Sequence, residues 1–245
     1  MKQKFSSEQK LSRWEDAREI KNLMGRFSAD FILKREKDMP RNYWSSRSDI
    51  CLGVNDGWYD GAEAVGSYYQ AIDRLVRLQS RVIAEAFPEE LKDKTEEELY
   101  GVGTMDYRPI DTPVIEVAAD GKTAKGLWTI RGSHTRILTS GPVAYWEWGW
   151  FAVDFIREND KWKIWHLRHL DEILRPCSSR WYGPEKKYAE VPEFAAMADF
   201  VMTPPNRPCV LRELYSPERK FTPAPRVPEP YSTFAETFSY GIEEV

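Results

Sequence analysis

The stretch from Thr112 to Arg175 reads as four consecutive antiparallel strands and constrains the fold more than any other part of the chain. Asp120-Gly121 marks a tight hairpin, and turns at 140–142 and 158–160 separate the later strands. Polar and titratable side chains recur in these strands among tryptophans, at positions where a sheet normally buries apolar residues. This pattern favours a sheet that curves around a pocket.

The composition is that of a globular protein and excludes several functional classes. The 245 residues are 42% hydrophobic and 30% charged, with a net charge of −4 and scattered basic residues, which argues against a nucleic-acid partner. No segment approaches the roughly 20 apolar residues that span a bilayer, and the first five residues lack the apolar run of a signal peptide. The three cysteines suggest neither a disulfide framework nor a zinc site. We therefore expect a cytoplasmic protein without a membrane partner.

Two amphipathic helices are predicted ahead of the strands. Ser12-x-x-Glu15 has the spacing of a capping box, and apolar residues recur after it at helical spacing. Asp60-x-x-Glu63 has the same spacing and opens a second, longer helix, which Pro88 closes. Helices followed by a long antiparallel meander are typical of the α+β class.

The composition changes near the end of the last predicted strand, which divides the chain at residue 175. Residues 10–175 are expected to form one domain, and residues 176–245 hold eleven of the sixteen prolines. This extension contains many aromatic residues and one weak helical pattern at 193–200. We expect it to lie extended along its own domain or along a neighbouring subunit.

Four segments resemble the SnoaL-like branch of the NTF2-like superfamily. They are YDGAEAV at 59–65, TPVIEV at 112–117, DGKTAKGLW at 120–128, and a stretch at 153–166 that begins VDF and ends WKIWH. The resemblance covers roughly residues 10–175 and implies an NTF2-like cone. In such a cone a strongly bent antiparallel sheet wraps around the N-terminal helices and encloses one deep pocket.

The resemblance also implies a range of functions. Related families include ketosteroid isomerase, scytalone dehydratase and polyketide cyclases, most of which work without a metal or an organic cofactor and commonly form dimers. It therefore implies a cofactor-independent lyase or isomerase acting on a small aromatic or polycyclic compound, in a homodimer or higher homo-oligomer. Two alternatives stay open: a non-catalytic module that binds a small ligand, and an assembly role in which the tail embraces a partner subunit.

The candidate catalytic residues are His166, His134 and Asp30. Histidine suits proton transfer because its ordinary pKa of about 6.5 lies close to neutral pH. The resemblance places a carboxylate near the end of the first helix, which Asp30 matches, although Asp30 could equally pair with Lys34 on the next helical turn. Dehydratase-like relatives also carry a histidine or tyrosine ahead of the TPVIEV strand, where this chain has the sequence DYR at 106–108 and no histidine.

The candidate substrate-binding residues are Tyr107, Arg168, Trp128, Glu147 and Trp146. Tyr107 and Arg168 could bind an oxygen or a carboxylate of the substrate, and the tryptophans could stack on an aromatic ring. Each of these residues also has a structural interpretation, as a member of the core, an interface or a cross-strand ion pair.

Strand periodicity places His166 and His169 on opposite faces, so both can line one cavity only if a bulge intervenes. Which face lines the pocket stays open at this point. A metal site that combines a histidine with Asp30 or Glu147 is conceivable, but no ligand spacing favours it, and we predict no metal.

Overall fold

The computed structural model describes residues 5–54, 57–138, 141–179, 203–208, 215–218 and 225–242. Two short 3-10 helices lie within these ranges, at Glu36–Asp38 and Phe234–Glu236. The α-helices are α1 (Ser7–Ile32), α2 (Met39–Tyr43), α3 (Gly61–Ala86), α4 (Pro88–Leu91) and α5 (Glu96–Leu99). The strands are β1 (Cys51–Val54), β2 (Gly57–Asp60), β3 (Asp106–Tyr107), β4 (Ile110–Val117), β5 (Thr123–Leu138), β6 (Gly141–Glu158), β7 (Lys161–Pro176) and β8 (Arg207–Pro208).

Both long helices form where the apolar periodicity predicts them, but their N-terminal caps differ from the predictions. Helix α1 begins earlier than expected because Ser6 and Gln9 form the capping box, rather than the motif at Ser12. Asp60 is the N-cap of α3, yet its side chain makes no capping hydrogen bond. Its carboxylate accepts a hydrogen bond from Arg207 Nε at 2.9 Å instead, so the second capping box is wrong.

The eight strands form one sheet in the order β3-β5-β6-β7-β1-β2-β8, and β4 also pairs with β5. Neighbouring strands are antiparallel except β1 and β7, which run parallel. Strands β5, β6 and β7 have 16, 18 and 16 residues and make up most of the sheet. The predicted meander is therefore confirmed, with a last strand that continues past residue 170.

The architecture is α+β, with a strongly curved, unclosed sheet that packs against α1 and α3, as the sequence predicts. We call the side of the sheet toward these helices the helix face and the opposite side the outer face. The main core joins helix residues such as Phe27 and Tyr69 to Trp128, Phe151 and Ile164 of the helix face. Each large apolar side chain buried there contributes about 1.5–3 kcal/mol relative to an exposed position.

A β-bulge in β7 changes which residues face the helices. Ile164 pairs with Phe155 of β6, whereas His166 pairs with Asp154, so Trp165 is an extra residue without a partner strand position. Even-numbered residues of β7 therefore face the helices before the bulge and the outer side from His166 to Leu170. The simple alternation predicted from 162 to 170 is wrong for this reason, although His166 and His169 do lie on opposite faces.

A second bulge lies further along the same strand. Glu172 is the extra residue, opposite the step from Trp148 to Gly149 in β6, and Gly149 pairs with Asp171. A Cβ atom at Gly149 would lie 1.9 Å from the carbonyl oxygen of Leu170, so only glycine fits there. Asp171 lies immediately before this bulge, opposite Gly149 and on the helix face, because the pairing is uninterrupted from His166 to Asp171.

Described parts of the C-terminal extension lie against the first domain. Tyr240 packs on Leu127 and Ala152 of the outer face, and Tyr59 donates a hydrogen bond to the carbonyl of Thr203 at 2.7 Å. The weak helical pattern at 193–200 falls outside the described residues. None of the described helices has the length and apolar character needed to cross a membrane. The expectation of a homo-oligomer stays a prediction.

Candidate active site

A cluster of polar side chains on the helix face is centred on Glu147 of β6. Arg108 Nε donates to Glu147 Oε2 at 2.7 Å, and His134 Nδ1 of β5 lies 2.8 Å from the same oxygen. The other oxygen, Oε1, lies 3.2 Å from Nε2 of His169 on β7. Because an ionised carboxylate can only accept hydrogen bonds, His134 donates through Nδ1, and its Nε2 holds the lone pair in the neutral ring.

The position of Arg108 depends on a glycine in the neighbouring strand. Gly132 of β5 lies opposite Glu147, and a Cβ atom there would lie 2.8 Å from the carbonyl oxygen of Tyr107 and 3.2 Å from Arg108 Cγ. The missing side chain lets the segment between β3 and β4 pass close to the sheet. Asp106 of this segment lies 3.6 Å from Arg108 and also pairs with Lys34 after helix α1.

His169 and Asp171 occupy alternate positions of β7 and extend the cluster. His169 Nε2 lies 3.2 Å from Asp171 Oδ1, and both atoms are buried without an aligned hydrogen bond to any described residue. The ring of Phe151 lies 4.9 Å from the imidazole. The side chains of His169 and Asp171 are 11% and 9% exposed, whereas Glu147 is 3% exposed, so His169 and Asp171 are the more accessible part of the cluster.

The cluster holds its titratable groups in different charge states. Burial raises the pKa of Glu147, but Arg108 and the two histidines outweigh it and hold this pKa well below its ordinary value. Burial lowers the pKa of His134 despite its hydrogen bond to Glu147. Burial also opposes the charge of His169, but Asp171 and Glu147 raise its pKa to about 9. At neutral pH, His134 is therefore neutral and His169 is charged.

A second carboxylate, Glu36, lies near this cluster in the 3-10 helix after α1. Its side chain is 1% exposed, and neither carboxylate oxygen has a hydrogen-bond partner among the described residues. Burial raises its pKa to about 7, with a smaller contribution from Asp106 and opposing ones from Lys34 and Arg108. A carboxyl group with this pKa can release and take up a proton near neutral pH.

The outer face carries a separate polar network. Lys125 Nζ and Asp154 Oδ1 are 2.5 Å apart, and both side chains are fully buried. The other oxygen of Asp154 lies 2.9 Å from His166 Nδ1 and accepts hydrogen bonds from Ser239 Oγ at 2.9 Å and the Tyr240 backbone at 2.8 Å. Three aromatic rings of the C-terminal extension lie 4.3–5.0 Å from the Lys125 ammonium group.

An open cleft of about 520 Å³ lies beside His166, between the end of the extension and strands β1, β2 and β7. Ser239 also lines this cleft, but its hydroxyl is 3.1 Å from Nδ1, the nitrogen that Asp154 already occupies. A serine nucleophile needs the opposite ring nitrogen, so these three residues do not form a hydrolytic triad. Burial raises the pKa of Cys51, which also lines the cleft, to about 12, so its thiol stays protonated.

The central part of the chain matches a known domain family. Residues 88–168 match the family model described as the SnoaL-like domain. Residues 88–168 are thus identified as part of a SnoaL-like domain. This confirms the resemblance seen in the sequence, and the matched region includes Arg108, His134 and Glu147, while His169 and Asp171 follow directly after it.

Several solved structures are similar to this protein, whereas no curated protein matches it. One is Rv3472, a protein of unknown function from Mycobacterium tuberculosis, whose structure was solved as a point variant. Its sequence is 16% identical, the alignment covers 78% of this chain and 98% of Rv3472, and the TM-score is 0.47. Hexachlorocyclohexane dehydrochlorinase LinA-type3 of Novosphingobium barchaimii LL02 is 14% identical, covering 72% and 99%, with a TM-score of 0.46. A putative scytalone dehydratase of Novosphingobium aromaticivorans DSM 12444 is 10% identical, covering 72% and 97%, with a TM-score of 0.45.

The three candidate catalytic residues lie in three different environments of the protein. His134 belongs to the cluster around Glu147 on the helix face. His166 lies on the outer face, where Asp154 and Ser239 are its partners. Asp30 accepts a hydrogen bond from Tyr43 at 2.5 Å and pairs with Arg35 at 3.3 Å, rather than with either histidine or with Lys34.

The candidate substrate-binding residues are also spread over the domain. Glu147 is the centre of the polar cluster, and Trp128 is 1% exposed in the core of the helix face. Arg168 lies on the outer face, where its guanidinium group is 5.5 Å from the centre of the Trp58 ring. Tyr107 and Trp146 are 54% and 37% exposed. The structure thus brings together His134 and Glu147 and separates them from the remaining candidates.

Sequence reasoning missed three members of the cluster: Arg108, His169 and Asp171. Arg108 lies in the segment 106–108, from which the sequence analysis selects only Tyr107 and notes the lack of a histidine. The signal that could have found His169 and Asp171 is their spacing of two residues, which puts both on one face of a strand as a histidine–carboxylate pair. The bulges that bring this pair to Glu147 have no clear sequence signature.

Proposed function

We propose that this protein is an acid–base lyase or isomerase, dehydratase-like or cyclase-like, that acts on a small aromatic or polycyclic compound at the helix-face cluster. The observation that carries the proposal is the convergence of two histidines and an arginine on the single buried carboxylate Glu147. The SnoaL-like match supports a small-molecule substrate. Of the site residues predicted from the sequence, this proposal retains His134 and Glu147.

In this proposal the two imidazoles have opposite roles. His134 is neutral and fixed by Glu147 through Nδ1, so its Nε2 can remove a proton from a carbon next to a carbonyl group. The C–H electrons move toward the carbonyl oxygen, where a cationic donor stabilises the negative charge. His169 is charged at neutral pH and can donate its proton to this oxygen or to a hydroxyl that leaves as water.

The surroundings of the cluster support an aromatic substrate. The Tyr145 ring stacks on His134 with centres 5.5 Å apart and planes at 1°. Phe151 lies against His169, and Phe31 lies 5.2 Å from the Arg108 guanidinium carbon. Flat apolar faces next to charged groups suit an aromatic ring that carries oxygen substituents.

The test measures deuterium uptake from D2O into a panel of hydroxylated aromatic and polycyclic ketones by mass spectrometry. Uptake reports removal of a carbon-bound proton even when the complete reaction is unknown. We expect His134→Gln to slow the uptake by about 10²-fold or more, since general acid–base catalysis contributes about 10²–10⁴-fold. Arg131→Gln is the control, because it removes only an exposed ion pair with Asp111.

The same assay separates the alternatives. Unchanged uptake in both His134→Gln and His169→Gln would contradict the proposal. Loss of uptake in His166→Gln or Asp30→Asn alone would favour the residues chosen from the sequence. One observation favours the non-catalytic alternative: Arg108 and His134 already occupy one oxygen of Glu147, as in a structural ion pair. Tight binding of a panel member without deuterium uptake would support that alternative.

A further inference from the structure

The helix-face cluster contains three donor atoms in an arrangement that suits a metal ion. Glu147, His169 and Asp171 each offer one atom, and the three atoms all lie within 4.8 Å of one another. They come from neighbouring positions of β6 and β7, two of the most extensively paired strands. Glu147, His169 and Asp171 are therefore held by the sheet rather than by a loop.

The distances between these atoms match those between ligands of one metal ion. His169 Nε2 lies 3.2 Å from Glu147 Oε1 and 3.2 Å from Asp171 Oδ1. Metal–ligand bonds of about 2.1 Å at angles of about 90–110° separate two donors by about 3.0–3.4 Å. Both separations from His169 Nε2 fall within that interval.

The unmet hydrogen-bonding capacity of these atoms is an independent observation. His169 Nε2 and Asp171 Oδ1 are buried and have no aligned hydrogen bond among the described residues, although buried polar atoms nearly always have one. The Asp171 side chain is 9% exposed. A cation between the three atoms would satisfy His169 and Asp171 at once.

The remaining contacts of Glu147 resemble the support that metal ligands receive. Arg108 and His134 bind Oε2 and leave Oε1 directed toward His169. Hydrogen bonds of this kind orient a ligating carboxylate and are part of most metal sites. Two carboxylates also supply the negative charge that a dication needs in a buried position.

We propose that Glu147 Oε1, His169 Nε2 and Asp171 Oδ1 bind a divalent transition-metal ion. One imidazole and two carboxylates suit zinc or manganese better than magnesium or calcium, which prefer oxygen ligands alone. The ion and the N–H proton of His169 are alternative occupants of the same space. The metal form would lack the acid and would offer the cation itself as the electrophile, so this inference stands independently of the acid–base function.

The experiment uses the full chain, freed of metal by dialysis against a chelator, without any substrate. Calorimetric titration with ZnCl2 and MnCl2 is expected to give one site per chain, and MgCl2 is expected to bind at least 10-fold more weakly. Asp171→Asn and His169→Gln should each weaken zinc binding by 10-fold or more. His166→Gln and Asp111→Asn are matched controls, because they remove a histidine and an aspartate elsewhere on the sheet, and binding should be unchanged.

A spectroscopic measurement on the wild-type protein tests the proposal even if the variants fail to fold. Electron spin-echo spectra of the Mn²⁺-loaded wild-type protein should show coupling to one imidazole nitrogen. Three results would overturn the proposal: no zinc or manganese binding at millimolar concentrations, equal binding in folded Asp171→Asn and His169→Gln, or a manganese spectrum without nitrogen coupling. Loss of zinc binding in His166→Gln alone would place the metal on the outer face and would also overturn it.

Discussion

Glu36 offers the sharpest quantitative prediction because it is a carboxyl group with almost no exposure and no hydrogen-bond partner among the described residues. Burial raises its pKa from 4.5 to about 7. The folded protein therefore keeps the Glu36 proton over a pH range in which the unfolded chain has released it. Replacing Glu36 by glutamine removes this difference without changing the shape of the side chain.

The sign and size of the effect follow from linkage. Between pH 4.5 and 7 the folded state binds the Glu36 proton more tightly than the unfolded state. Glu36 therefore lowers the free energy of unfolding as pH rises through this window. Each pKa unit corresponds to about 1.36 kcal/mol, so the total decrease is about 3 kcal/mol. Relative to the wild type, Glu36→Gln should gain about that amount between pH 4 and pH 8.

The assay is urea denaturation of both proteins at pH 4, 5, 6, 7 and 8, analysed as the difference in unfolding free energy at each pH. The difference removes the contributions of other titrating groups and any constant cost of burying an amide. Glu97→Gln, in the exposed helix α5, is the control for the loss of one negative charge. Parallel pH profiles for Glu36→Gln and the wild type would refute the reasoning.

Three further predictions concern stability. Asp154→Asn should destabilise the protein by about 3–5 kcal/mol in urea denaturation because it leaves the buried Lys125 charge without its carboxylate, and a Lys125→Met, Asp154→Leu double variant should lose less. Gly126→Ala should lower the melting temperature, at a cost of about 1–3 kcal/mol, since its Cβ would lie 2.2 Å from the Trp128 ring. Gly25→Ala should gain about 0.5–1 kcal/mol, because it adds a Cβ to a helix where nothing lies within 4 Å. Equal melting temperatures for the two alanine variants would contradict the packing argument.

Much of the fold could be predicted from the sequence because its signals are local. The hairpin turn at Asp120-Gly121 and the alternation along β6 give the strands and place Glu147 and Phe151 on one face, as the structure has them. Helical periodicity gives α1 and α3. The capping hydrogen bonds are harder to predict from the sequence. Asp60 occupies the N-cap position, but its carboxylate binds Arg207, which lies far away in the sequence.

The candidate site could be predicted only in part. His134 and Glu147 follow from strand periodicity, since each lies in an uninterrupted stretch of alternation. Arg108 required knowledge that Gly132 leaves space for it, and His169 and Asp171 required the bulge at Trp165. Asp30 is a catalytic candidate through the resemblance alone, yet Tyr43 and Arg35, which lie near it in the chain, bind its carboxylate.

The sequence by itself determined the α+β class, the SnoaL-like domain, the long strands and the alternation within each uninterrupted segment, because these depend on residues close together in the chain. Only the tertiary structure decided that His169 joins His134 at Glu147 while His166 faces the C-terminal extension. The physical reason is that strand pairing has a period of two, so a single extra residue at Trp165 reverses the face of each position from His166 up to the second bulge at Glu172. Such a bulge forms through contacts with the partner strand, which local pattern does not encode.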